Sequence, residues 1–197
     1  MGRPKIANEA QVLDGAMDAF RRAGYSAVSI KDLERATGLK SGSIYHGYGD
    51  KDGIFRAAFA HYNDTVIRRR IGCYATESAG VEGLRQLFLS LLRAPESDSD
   101  GCLLTNAAVE FGAGDSIASA GVCEGFALLK VAFTKAIEHD WRVGKLKGGL
   151  EPDATAWKLL LLYQGLLVLI RSGQDTSDFV RLLNDEFNQL LESGYAD

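Results

Sequence analysis

"GYSAVSIKDLERATGLKSGSIYHGYGDKDGIFRAAFAHY", residues 24–62, holds the spacings that decide the fold. Gly24 ends a stretch in which Ile6, Ala10, Leu13, Met17 and Phe20 share one helical face. Ser29 and Asp32 have capping-box spacing, with the shorter acid in place of Glu. Ile30, Leu33 and Ala36 give the helix they open a buried side, and Gly38 breaks it. Residues 41–46 form a third, short helix with Ile44 and Tyr48 pointing inward. Asp50 caps a fourth whose stripe runs Ile54, Phe55, Ala58, Phe59, Tyr62 and Val66.

The glycine-bearing middle of this stretch has two readings. Gly42 and Gly47 have the spacing of a phosphate loop, but Tyr48 and Gly49 stand where Lys and Ser/Thr would hold phosphate and magnesium. The other reading is a helix-turn-helix, with residues 29–37 as support helix and 41–47 as recognition helix. Ser41, Gly42 and Ser43 are small enough for backbone to approach a groove, and a helix start offers N–H groups to phosphates and base edges. Lys40, Tyr45, His46 and Lys51 surround it with donors.

The same 39 residues resemble the DNA-binding head of the TetR family of bacterial regulators. The resemblance rests on Gly24-Tyr25, on Ser29-Ile30 with Asp32-Leu33, on Gly42 to Tyr45 with Tyr48, and on Lys51-Asp52 with Ile54-Phe55. It implies DNA contacts from Ser29, Lys31, Lys40, Ser41, Gly42, Ser43, Tyr45, His46, Tyr48 and Lys51. It also implies a homodimer on a palindromic double-stranded operator and a small-molecule effector, of unknown identity, bound in the C-terminal body. Three residues depart from the pattern. Lys40 replaces Ser, which shifts the expected N-cap to Ser41; Gly47 replaces a polar or aromatic residue; Tyr48 replaces Phe and keeps a buried ring. For Tyr45 a phosphate contact is favoured over a packed ring, and His46 stays open between a contact and a solvated side chain. Residues 68–70, three arginines, read as a solvated helix C-terminus.

The rest of the chain is also helical in pattern, giving an all-α fold of about nine helices with no strand and no repeat. Val81, Leu84, Leu87, Phe88 and Leu91 line one helix before Pro95. Residues 96–101 read as a loop, and 102–111 as a short helix closed by Gly112 and Gly114. Asp115 is expected to cap a long helix through Phe126, Leu129, Phe133 and Ile137. Pro152 opens another, reaching Arg171, and Phe179 to Leu191 mark the last. This gives a head over 1–50, continuing into the linking helix to about 65, and an effector-binding and dimerisation body over 51–197.

The body's apolar "KLLLLYQGLLVLI", with Gly165 in its middle, needs more cover than one face supplies. A four-helix dimer seam from Leu161, Gly165, Val168, Leu183, Phe187 and Leu190 is expected, with burial inside one subunit as the alternative. Polar residues in apolar helices mark the candidate effector pocket: Cys102, Asn106, Glu110, Trp141, Tyr163 and Gln164. Cys102 is either a core thiol or an electrophile and oxidant sensor.

The net charge of −4 conceals an asymmetry, with 12 Lys/Arg against 8 Asp/Glu in residues 1–70 and 10 against 18 beyond. A basic head on an acidic body suits polyanion binding. The basic N-terminus is followed by no apolar run, and the most apolar stretch, residues 157–170, is about 14 residues long. A cytoplasmic protein without membrane, metal or cofactor is therefore expected, its three cysteines reduced and its three histidines scattered. Gly121 and Gly125 imitate a nucleophile elbow around Cys123, but no strand precedes them, and no histidine–acid pair accompanies it. Catalysis is not expected. The competing functions are an activator or thiol sensor of the same fold, and a helical interaction protein without DNA binding.

Overall fold

The computed structural model describes residues 8–93, 101–114, 116–146 and 150–191, and among these every regular element is helical. In order they are α1 (Glu9–Ala23), α2 (Ile30–Thr37), α3 (Ser41–Tyr48), α4 (Lys51–Tyr62), α5 (Arg69–Tyr74), α6 (Gly80–Leu92), α7 (Leu103–Phe111), α8 (Ser119–Arg142), α9 (Pro152–Arg171) and α10 (Phe179–Leu191). A π-helical turn, Asn63–Arg68, joins α4 to α5 and a 3-10 turn, Glu77–Ala79, precedes α6, so counting the α4–α5 rod as one leaves nine α-helical rods among the described residues. Ile6, Pro95, Asp115 and most of the loop expected over 96–101 lie outside the described residues.

Among the described residues the chain divides into two compact units, one within 1–66 and 102–125, the other within 67–101 and 126–197. In the first, α7 packs on α1 and α4, because Phe111 joins a cluster with Phe55 and Tyr25, at centroid distances of 5.7 and 5.3 Å. Phe20 and Phe59 extend that cluster, each within 6 Å of Phe55. Each buried aromatic contributes about 1.5–3 kcal/mol through area removed from water. Edge-to-face pairing adds roughly 0.5–1.5 kcal/mol per pair.

Several details of the first unit correct the sequence reading. The buried face of α1 is Val12, Ala16 and Phe20, with Ala10 exposed and Leu13 and Met17 half-buried. A close approach to α2 sets this rotation: a Cβ on Gly15 would lie 2.1 Å from the Ala36 carbonyl oxygen. On the inner side of α2 are Leu33 and Thr37, while Ile30 is half-buried and Ala36 exposed. At the end of α4 the π turn inserts one residue per turn. Asn63 is therefore fully buried, donating to the Gly121 carbonyl at 3.0 Å, while Ile67 is buried and Val66 only half so.

The second unit centres on Phe88 of α6, whose ring meets those of Phe133, Tyr163 and Phe187 at 6.0, 5.1 and 5.2 Å. Leu183, Phe187 and Leu190 turn into this core, since α10 packs on α6. Half of the expected dimer-seam residues are thus intrachain core. The arginine run does not end a helix, because α5 continues to Tyr74. Its third member, Arg70, is half-buried and donates to Ser90 Oγ at 2.7 Å. Asp140, 2% exposed, accepts from the Val81 N–H at 2.7 Å and so caps α6 from α8. As formed, α9 is 20 residues long and apolar enough by length and composition to cross a membrane, more than the 14-residue stretch suggested. It buries Ala156, Leu159, Leu160, Tyr163 and Leu166 on one side, within the unit.

Candidate nucleic-acid interface

The helix-turn-helix is built as its punctuation requires. Ser29 caps α2: its hydroxyl accepts from the Asp32 N–H at 3.2 Å, while the Asp32 carboxylate accepts from the Ser29 N–H at 2.9 Å. The Ser29 hydroxyl also donates to the Asp32 carboxylate at 2.5 Å, and this bond, then that from the Ser29 N–H, with help from Arg35, pulls the Asp32 carboxyl down to about 2. Gly38 leaves α2 with φ of 71°, a left-handed conformation that only glycine adopts without strain. Three residues later α3 begins.

The N-cap of α3 corrects the sequence reading. It is Lys40, whose side chain can accept nothing, and Ser41 is the first helical residue. Glu34, one helix earlier, fills the gap by accepting from the Ser41 N–H at 2.6 Å. A carboxylate from α2 thus locks the start of α3 and takes up one of the N–H groups that a bare helix start would present.

Ile44 is the one fully buried residue of α3. Lys40, Gly42, Ser43, Tyr45, His46 and Gly47 are exposed, Tyr45 with half of its surface in solvent, and Ser41 and Tyr48 are half-buried. Burial raises the Tyr48 hydroxyl pKa, with a smaller push from Glu9. On the flanks, Ser29 and Lys31 are exposed. Lys51, half-buried at the start of α4, places its ammonium 4.1 Å from the centroid of the Tyr25 ring. Asp50 caps α4 as expected, accepting from the Gly53 N–H at 2.7 Å.

Tyr25 and Glu34 were missed as site-shaping residues. The Tyr25 hydroxyl donates to the Asp52 carboxylate, and burial followed by this bond raises its pKa to about 12. No spacing rule pairs Glu34 with Ser41, seven residues on, so that contact leaves no local signal.

The pocket candidates fall in both units. In the first, Asn106 donates to the Arg21 carbonyl at 3.0 Å and Glu110 accepts from the Tyr25 and Ser26 N–H groups, so both side chains hold backbone. Cys102, 5% exposed, accepts from the Tyr62 hydroxyl at 3.0 Å, the setting of a core thiol. In the second, Tyr163 is a core ring 2% exposed, Gln164 is half-buried and Trp141 is half-exposed.

A short helix with one buried residue and an exposed polar face, set on a support helix by a glycine turn, defines a helix-turn-helix DNA-binding protein. Residues 12–58 match the profile of bacterial regulatory proteins of the tetR family, and residues 80–184 that of the tetracyclin repressor-like C-terminal domain. The chain belongs to the TetR family and is a DNA-binding transcriptional regulator, not an enzyme. It is 29% identical over 188 residues, 95% of both chains, to the HTH-type transcriptional repressor Rv1474c of Mycobacterium tuberculosis. With the repressor ComR of Escherichia coli it shares 33% over 108 residues, 53% of this chain and 51% of that one. Its fold is that of a cysteine mutant of the TetR family regulator CifR, solved with a 26-bp double-strand operator DNA. The TM-score there is 0.78 at 22% identity, covering 94% of this chain and 98% of that one.

Proposed function

We propose that the protein is a cytoplasmic, homodimeric repressor that binds a palindromic operator and is released by a small molecule held in its C-terminal body. The observation that carries this reading is the solvent-facing surface of α3, where only Ile44 is committed to the core. Tyr45 and His46 project from it, Lys40 lies at its start, and Ser29, Lys31 and Lys51 flank it with phosphate donors. Phosphate contacts set register on the duplex, and side chains over the base edges set sequence. Both relatives named above are described as repressors, which favours repression over activation.

A dimer is supported by the outer face of α9. Ala154, Trp157, Leu161, Gly165 and Val168 recur at helical spacing and are all exposed, Leu161 by 72%. Val180 and Leu182 add exposed apolar surface on α10. An apolar stripe of this kind is suited to a partner helix, and Gly165, with nothing within 4 Å of a built Cβ, leaves room for close approach. Two copies of α3 about 34–36 Å apart would read successive major grooves.

Selection of oligonucleotides from a random pool by the purified protein tests the reading. The expected product is a palindrome with half-sites one helical turn apart. Failure to bind any duplex at low salt contradicts it.

A further inference from the structure

We propose that Glu110 is a positioning residue for sequence-specific DNA binding, holding the α1–α2 turn so that the recognition helix keeps its place. This rests on the reading of α3 as the helix that enters the groove. Glu110 Oε2 accepts from the Tyr25 N–H at 2.8 Å, and Oε1 accepts from the Ser26 N–H at 2.7 Å. One turn earlier on α7, Asn106 takes the Arg21 carbonyl at the end of α1. Groups that a helix end and its turn leave unpaired are thus gathered by one side of α7. The fit is close: Gly24 has φ of 80°, and a Cβ there would lie 2.9 Å from Glu110 Oε2.

From that turn a series of carboxylate-to-backbone contacts runs to the recognition helix. Glu110 fixes residues 25 and 26, Asp32 accepts from the Ser29 N–H at the start of α2, and Glu34 accepts from the Ser41 N–H at the start of α3. Tyr25 adds a lateral tie through its hydroxyl to Asp52 and its ring to Lys51. Burial pushes the Glu110 carboxyl up, but the bonds from Ser26 and Tyr25, with the charge of Lys51, outweigh it and keep Glu110 ionised at neutral pH. Charge-assisted hydrogen bonds of this kind are about twice as strong as neutral ones.

The test uses the full chain with Glu110→Gln, which keeps the shape but presents an amide N–H₂ to one of the two backbone donors. Glu110→Asp is the second variant, which keeps the charge but is one methylene short. In the DNA-free proteins, amide exchange over residues 25–48 should accelerate in both variants, while exchange in α9 stays at the wild-type rate. The ratio of affinity for the selected palindrome to that for random duplex, at one salt concentration, should fall on the order of tenfold. General destabilisation lowers the active fraction for both duplexes alike and leaves the ratio unchanged. Wild-type exchange over residues 29–48, or an unchanged ratio with active protein, overturns the proposal. Absence of any preferred duplex for the wild type contradicts the reading of α3 instead, and the exchange comparison still decides the role of Glu110.

Discussion

Lys40 stands where a side-chain acceptor is normally required, and its extended backbone, with φ of −83° and ψ of 153°, has the geometry of an N-cap. Lys40→Ser should therefore do two separable things. It supplies a cap worth about 1 kcal/mol, raising Tm by about 2–4 °C for a chain of this size. It also removes a charge beside the groove, so affinity should fall, the salt dependence should lose about one unit of slope, and the preferred operator should change. Identical sequence selection by both proteins would show that Lys40 reads no base. Tyr25 gives a second residue-scale expectation. Its pKa is raised from 10.0 to about 12, so the neutral hydroxyl contributes stability in full below about 10, and that contribution disappears as pH rises through about 12. An alkaline absorbance titration should contain a late tyrosine component that is missing from Tyr25→Phe. These two residues also mark the limit of sequence reading at the site. The exposed donors of α3 were legible because their spacing is local. Tyr25, Glu34 and Glu110 act through partners 27, 7 and 85 residues away, which no periodicity encodes.

At the level of elements, two glycines in the head predict opposite outcomes. A Cβ on Gly15 would meet backbone of α2 at 2.1 Å, so Gly15→Ala forces two helices apart. The expected cost is about 1–3 kcal/mol, as for other overpacked sites. Gly47 lies inside α3 with nothing within 4 Å of a built Cβ. Gly47→Ala should stabilise the head by about 0.5–1 kcal/mol through the helix entropy of glycine. Thermal melts of both variants check the signs; if Gly47→Ala also weakens operator binding, the glycine serves close approach to DNA. Helix boundaries were read well from caps and glycines: Ser29 with Asp32, Gly38, Asp50 and Pro152 all act as their types dictate. Faces were read less well. The π turn at Asn63–Arg68 rotates the inner side of its rod, and a face that covers α6 resembles one that covers a partner, as Leu183, Phe187 and Leu190 demonstrate.

For the whole molecule, the exposed stripe on α9 carries the proposed assembly. Leu161→Glu places a charge on a residue that is 72% exposed in the single chain, so the fold should tolerate it. Sedimentation should shift from dimer to monomer, and operator binding should weaken strongly because one recognition helix then reads only a half-site. A monomer–dimer balance equal to wild type would move the seam elsewhere. The central claim, that α3 and its flanking cations grip duplex DNA, is tested most directly by the salt dependence of binding to the selected palindrome. With six or more phosphates neutralised by a dimer, affinity should fall on the order of 10³-fold between about 50 and 200 mM salt, with a linear log–log plot. Binding that ignores salt, or that does not distinguish the palindrome from random duplex at any salt, would contradict it.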